Sequence, residues 1–440
     1  MYILIILILG LTLRLISLNQ SLWLDEGTTA LVAKMSLGNI FTKFLPGDFH
    51  PPLYYLILKY WTDVFGNSEV SLRIPSIIFG LGTVVLTYLI GKKLFDKKVG
   101  LLAGVLMTTS GLAIYYSQEA RMYGLAAFLV AGAIYLFVQK KWIFFSVVLA
   151  LIGLTDYISL FIVPVFFVIG FKYWKKLALS LVPLILSFAL WLPIFIRQIT
   201  SGLTVEGSGW WNILGQPTLK NLALIPVKFM LGRISFENKS LYGAIAILVA
   251  LLFGFLIYKT RKSSKLLWAW LVFPIVLGVI VSFKVPTLTY FRFLFCLGPF
   301  YLLLAKGVFE TGKAAKMFMA ILILLNLVTS GYYLTSPKFQ REDWRGVVEF
   351  IESNRAENSI TIFPGGSNTE AYLYYAPDAK IAGPGGIREG YNQIWLMDYL
   401  SSIFDTKGAA KSNVEALGYG QEASYRFRGV GQIYLYENSN

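Results

Sequence analysis

Two adjacent carboxylates, Asp25 and Glu26, stand in the run Leu22-Trp23-Leu24-Asp25-Glu26-Gly27, directly behind an apolar stretch and a tryptophan of the kind that settles at a membrane surface. A carboxylate held beside a lipid-facing cleft can act as a general base, taking the proton of an attacking hydroxyl. The plainer reading is a helix N-terminus whose first-turn acids complement the helix dipole. A further acid, Glu119, lies in Tyr115-Tyr116-Ser117-Gln118-Glu119-Ala120-Arg121-Met122-Tyr123, where the plain reading is a Glu119–Arg121 surface pair that contributes little by itself. His50 is the only histidine and reads as a hydrogen-bonded interfacial side chain, because zinc sites gather several His or Cys ligands. Arg197, Lys284 and Arg292 fall at the ends of apolar runs, where such side chains either snorkel or grip a phosphate leaving group; Arg292, in Thr287-Leu288-Thr289-Tyr290-Phe291-Arg292-Phe293, is the strongest phosphate candidate.

The elements that must position these groups are set by a composition that excludes an ordinary soluble enzyme: 56% of the 440 residues are hydrophobic and 14% charged. Apolar runs near bilayer length recur at 2–18, 72–91, 99–117, 122–138, 142–155, 157–171, 177–196, 240–258, 266–284, 289–305 and 316–334, eleven expected crossings. The 142–171 stretch reads as two short helices broken at Thr155-Asp156-Tyr157, and 198–239 as a long outer loop with Gly-Ser-Gly-Trp-Trp at 207–211 and a flat amphipathic piece from Leu219 to Ile234. His50 to Phe65 is apolar but short and carries Lys59 and Asp63. If it lies in the interface, the lysines at 92–98, 140–141 and 172–176, the cations at 259–265 and those at 306–316 all share one side, the cytoplasm by the positive-inside rule; if it crossed, all would face outward. It is therefore read as re-entrant or interfacial. Nine of the eleven acids before residue 337 then fall outside, and only Asp96 and Glu310 inside.

Charge also divides the chain. Residues 1–336 hold 29 Lys and Arg against 11 Asp and Glu, a net of +18, and 337–440 hold 10 against 13, a net of −3. Cations gathered in short loops between apolar runs are orientation signals and exclude a nucleic-acid groove. The tail reads as a small α/β domain outside the membrane: helices at Asp343–Ser353 and Thr369–Tyr375, strands at Ser359–Phe363, 391–395, 422–427 and 431–436. Gly383-Pro384-Gly385-Gly386 lacks the spacing of a dinucleotide or P-loop fingerprint and is read as a turn. The single cysteine, Cys296, permits no internal disulfide, and Met1–Ser17 lacks the basic region and cleavage site of a signal peptide, so it is expected to remain as a first helix.

The series LWLDEG (22–27), HPPLYYLILKYW (50–61), SLRIPSIIFG (71–80), YYSQEARMYGL (115–125) and TLTYFRFL (287–294), followed by QREDWRGVVEFI (340–351), resembles the GT-C membrane glycosyltransferases of the family 39 type, related to protein O-mannosyltransferases and the lipid A aminoarabinose transferase. The resemblance spans nearly the whole chain, and the first four motifs in this order are specific. It implies inverting transfer of a sugar from a polyprenyl-phosphate donor to an acceptor hydroxyl at the outer face. Carried onto this chain, it implies Asp25 as general base, Glu26 as its neighbour orienting it or the substrate, and Glu119 as a second acid. His50, Arg121, Arg292 and Arg197 are the groups expected at the donor phosphate. At 155–157 the sequence departs from the Thr-His-Tyr of many such proteins, with Asp156 in the middle.

The expected architecture is thus an α-helical polytopic membrane protein of GT-C type, with about eleven transmembrane helices in 1–336 and an extracytoplasmic α/β domain in 337–440, in the plasma membrane. A lipid-phosphate leaving group needs no nucleotide site, so no nucleotide cofactor is expected; a divalent cation on Asp25, Glu26 and Glu119 stays open. Expected partners are a polyprenyl-phosphate sugar, a glycan, lipid or protein acceptor of the cell envelope, and the bilayer, with no nucleic acid. The alternative classes are a lipid-linked glycan transporter or flippase, which should carry charges deep in its spans, and a membrane-anchored binding protein whose tail is the active part.

Overall fold

The computed structural model describes residues 1–203, 211, 214–366 and 368–438; Gly207 to Trp210 of the Gly-Ser-Gly-Trp-Trp motif lie outside the described residues. The chain forms two compact units: Met1–Leu18, Ser36–Gly66 and Val70–Phe339 in one, and Asn19–Met35, Asn67–Glu69 and Gln340–Asn440 in the other.

The first unit is helical. Among the described residues seven helices are long and apolar enough to cross a membrane: Glu69–Leu94, Ile158–Ser180, Val182–Ser201, Lys239–Lys259, Lys265–Ser282, Tyr290–Phe309 and Gly312–Thr335. An eighth arises if Lys97–Thr109 and Gly111–Ser117, bent by 61°, form one span, and three apolar helices are shorter: Tyr2–Leu15, Tyr123–Val138 and Trp142–Gly153. Each expected apolar run thus coincides with helix, although length alone qualifies only some of them. Outward apolar side chains such as Leu190, 89% exposed, need lipid as their solvent.

Local polar residues decide where these helices start. Asn238 and Ser264 cap Lys239–Lys259 and Lys265–Ser282 by accepting from Leu241 N and Leu267 N. Asp96 does the same for Lys97–Thr109 through Val99 N at 2.9 Å, and Ser110 ends that helix and caps the next through Ala113 N. The carbonyls freed at the bend are satisfied from other helices, with Arg14 Nη1 donating to Thr108 O and Asn326 Nδ2 to Leu106 O.

Two expectations are corrected. The break at Thr155-Asp156-Tyr157 separates Trp142–Gly153 from a helical run that continues through Ser180, so the next boundary falls at Leu181. The loop expected from residue 198 begins later, because the Val182–Leu203 helix extends past that residue. His50–Phe65 contains a 13-residue helix, Leu53–Phe65, too short to rank with the spans, which buries Tyr54, Tyr55 and Leu58 and pairs Lys59 with Asp63.

The second unit is built on a five-stranded sheet of order β2-β1-β3-β5-β4, with β1 Ser359–Ile362, β2 Ile381–Ala382, β3 Gln393–Met397, β4 Tyr419–Phe427 and β5 Gly431–Asn438. β1 pairs in parallel with β2 and β3, and β5 runs antiparallel to β3 and β4. Alternation along β3 gives the sheet two dry faces. Ile394 and Leu396 meet Ala410 and Val414, whereas Trp395 and Met397 meet Trp344, Val347 and Ile351 of the Trp344–Asn354 helix.

The second face also takes Leu24, the first residue of the helix Leu24–Lys34, together with Ala371 and Tyr372 of Glu370–Tyr375. Gly27 lets these two helices touch: a Cβ there would come within 2.6 Å of the Ala371 backbone. Gly27→Ala is expected to destabilise this unit by about 1–3 kcal/mol by overpacking, read as a lower midpoint in thermal unfolding; an unchanged midpoint would mean that the helices part freely.

Candidate active site

Asp25 and Glu26 occupy the first turn of Leu24–Lys34, Asp25 half-buried and Glu26 fully buried. The placement on the helix dipole is therefore real, and it is compatible with a role in proton transfer. The approach to this turn is tied down residue by residue. Arg341 N donates to Gln20 Oε1, Arg345 N to Ser21 Oγ, and Leu22 N to Tyr375 OH at 2.8 Å. Arg345 also bonds Asn19 O and pairs with Glu69. Burial first, with the charge of Asp25 added, raises the carboxyl of Glu370 above its ordinary value.

The remaining expected site residues, Glu119, His50, Arg121, Arg197 and Arg292, belong to the helical unit. Glu119 and Arg121 are both buried, which removes the surface-pair reading. Gln118 anchors their segment by donating from Nε2 to Arg14 O and Ile16 O while accepting from Tyr333 OH. Arg121 lines a narrow crevice with His50, Pro51, Tyr54, Tyr55 and Met122. His50 approaches from a loop held by Gln198, whose Nε2 donates to Leu45 O and His50 O and whose Oε1 accepts from Tyr157 OH.

Sequence reasoning counted Asp48 only among the outer acids, yet it organises this pocket. Its carboxylate accepts from Tyr55 OH at 2.7 Å and lies 3.4 Å from His50 Nδ1. Burial works to raise its pKa, but His50, Arg121 and Tyr55 outweigh burial and hold it down at about 2. A carboxylate depressed on folding stabilises above its ordinary value of 3.8 and loses that contribution as the pH falls through about 2. Asp48→Asn is expected to cost about 2 kcal/mol near pH 6, with the deficit shrinking toward pH 2. Thermal unfolding of the detergent-solubilised protein at both pH values measures it, and a deficit independent of pH would remove the charge from the explanation.

Arg292 donates to Pro286 O at 2.7 Å, and Arg197 is exposed without a hydrogen bond or ion pair to another described residue. A cation set among tyrosines is one the sequence reading passed over. Arg233 lies 4.3 Å from the Tyr115 ring and donates to Tyr116 OH. Nearby, Lys228 bonds Ile234 O and Tyr242 OH, and burial, reinforced by Arg233 and Lys239, pulls its pKa down to about 8. Asp156 accepts from Ser159 N and Ser159 Oγ and so caps the helical turn after the 154–157 break, which gives this departure from the family pattern a structural role. Among the described residues no three His, Cys, Asp or Glu side chains gather as a metal site.

Residues 49–199 match the family model of dolichyl-phosphate-mannose-protein mannosyltransferases. Among solved structures, ArnT from Cupriavidus metallidurans bound to undecaprenyl phosphate is 10% identical, with a TM-score of 0.60 over 100% of this chain and 98% of that one. The oligosaccharyltransferase AglB from Archaeoglobus fulgidus, in complex with an inhibitory peptide and a dolichol-phosphate, is 12% identical, with a TM-score of 0.54 over 98% of this chain and 73% of that one. Among curated protein sequences none matches. The chain thus has the fold of the GT-C membrane glycosyltransferases related to protein O-mannosyltransferases, as the motifs implied, and it is a multi-pass membrane protein.

Proposed function

We propose that the protein transfers a sugar, with inversion, from a polyprenyl-phosphate-linked donor to an acceptor hydroxyl at the outer face of the plasma membrane. In this reading Asp25 takes the acceptor proton, Glu26 orients it, Glu119 is the second acid, and His50, Arg121, Arg292 and Arg197, joined by Arg233, attract the donor phosphate. Residues 1–336 then cross the bilayer eleven times, and 337–440 form the extracytoplasmic domain.

The observation that carries this reading is the burial of Glu119 and Arg121, with Arg121 lining the His50 pocket, inside the stretch that matches the mannosyltransferase model. A carboxylate and a guanidinium that are costly to desolvate mark a candidate site. The donor's lipid tail holds the reacting sugar at the bilayer, so orientation, proton removal and stabilisation of the departing phosphate are the three tasks left to the protein.

Fully buried Arg14 and Arg73 are the features a flippase would use. Both are engaged with the fold: Arg14 with Ser117 Oγ, Gly10 O and Thr108 O, and Arg73 with Leu18 O. Sugar release from polyprenyl-phosphate-linked sugars by purified Asp25→Asn protein separates the two readings, since a flippase tolerates that change.

A further inference from the structure

We infer that Glu342, in the Glu342-Asp343-Trp344-Arg345 run of the C-terminal segment, is a positioning residue for Asp25: it holds the start of the Leu24–Lys34 helix and sets the charge beside that carboxylate. The inference rests on the proposed role of Asp25 as general base.

The Leu24–Lys34 helix has no side-chain cap from its own N-cap residue, Trp23. The N–H of Leu24 instead faces the Glu342 carboxylate. A carboxylate there meets the positive end of the helix dipole and one of the N–H groups that no intrahelical carbonyl can satisfy.

Glu342 is itself pinned from three directions. Trp344 Nε1 donates to its Oε2 at 2.7 Å, Tyr399 OH reaches its two oxygens at 3.2 and 3.3 Å, and Gly429 closes over its stem. A Cβ at Gly429, whose φ is +75°, would come within 2.8 Å of Glu342 Cγ and 2.9 Å of its Cα. No side chain larger than hydrogen fits there without moving the carboxylate.

The titratable groups around Glu342 are Asp25 on the supported helix, Glu370 on the neighbouring helix and Tyr399, with Arg341 adjacent in the chain. Burial is the largest influence on Glu342; together with the charge of Asp25 it outweighs the Trp344, Tyr399 and Leu24 donors and holds the pKa up at about 7. Below that pH Glu342 is neutral. Above it the added negative charge favours arrival of the acceptor's proton at Asp25, so transfer should rise as the pH passes through 7.

The test uses full-length native, Glu342→Gln, Glu342→Ala and Asp25→Asn proteins, with polyprenyl-phosphate-linked sugars extracted from native membranes as donor. Gln retains an oxygen for Leu24 N–H but no titrating proton. Glu342→Gln is expected to keep KM and the hydrogen-exchange protection of residues 23–27, lose the inflection near pH 7, and lower kcat about tenfold. Glu342→Ala is expected to lose that protection as well. Native kcat with a native inflection in Glu342→Gln, or native protection in Glu342→Ala, overturns the inference. Full activity in Asp25→Asn instead sinks the base assignment, while the exchange measurement still decides whether Glu342 holds the helix.

Discussion

Asp25→Asn is expected to lower the rate of sugar transfer by on the order of 10²–10⁴-fold, the usual worth of a positioned general base, while leaving thermal unfolding nearly unchanged. Asn has the shape of Asp and suits the first turn of a helix, so the Leu24–Lys34 segment keeps its local geometry. What disappears is the ability to accept a proton. The loss should fall on kcat with little change in KM, because in the proposed reaction the donor is held by its tail and phosphate and the acceptor proton is removed only in the transition state. Glu26 offers no obvious rescue, since it is fully buried in the same turn. Activity within a few-fold of native, measured as sugar released from the lipid-phosphate donor, would end the enzymatic assignment of Asp25.

The second large effect concerns stability. Trp344→Ala is expected to cost the C-terminal unit about 3–5 kcal/mol, the range for emptying a buried aromatic site. Trp344 is wholly buried, stacks on Phe363 at a centroid distance of 6.3 Å, meets Tyr399 edge-on at 4.7 Å, and donates to Glu342. Against a domain stability of about 5–15 kcal/mol this is about a fifth or more of the whole. Because Leu24 shares the same apolar core, protease sensitivity should appear in residues 19–35 as well as in the tail, and transfer should fall with it. Cleavage confined to the tail would show that the two segments are energetically separate.

These expectations draw on features legible in the sequence to different degrees. The membrane helices were readable because a long apolar run has one stable backbone solution in lipid. Their breaks were less so: the bend at Ser110 and the run through Ser180 depend on caps and on carbonyl acceptors supplied by distant helices. In the tail, the strong strands and the Trp344–Asn354 helix were found within a few residues. The two-residue β2 and the Ala409–Ala416 helix, which buries only Ala410 and Val414, carry too little periodic signal to see. Asp25, Glu26, Glu119 and His50 announced themselves by motif. Asp48, Arg233, Lys228 and Glu342 did not, because their significance lies in partners far along the chain: Asp48 faces Arg121, Arg233 faces Tyr115, and Glu342 faces Leu24.

The membership of residues 19–35 in the C-terminal core has a consequence for biosynthesis. Asp25 leaves the ribosome well before Trp344, Ala371 and the five strands that complete its surroundings. Until those residues emerge the Leu24–Lys34 segment has no apolar face of this core to dock on, and a helix of eleven residues alone in water is marginal. Docking of the turn proposed to carry the general base therefore waits for the sheet, and a ribosome that stalls before Trp344 leaves that turn with nothing to fold on.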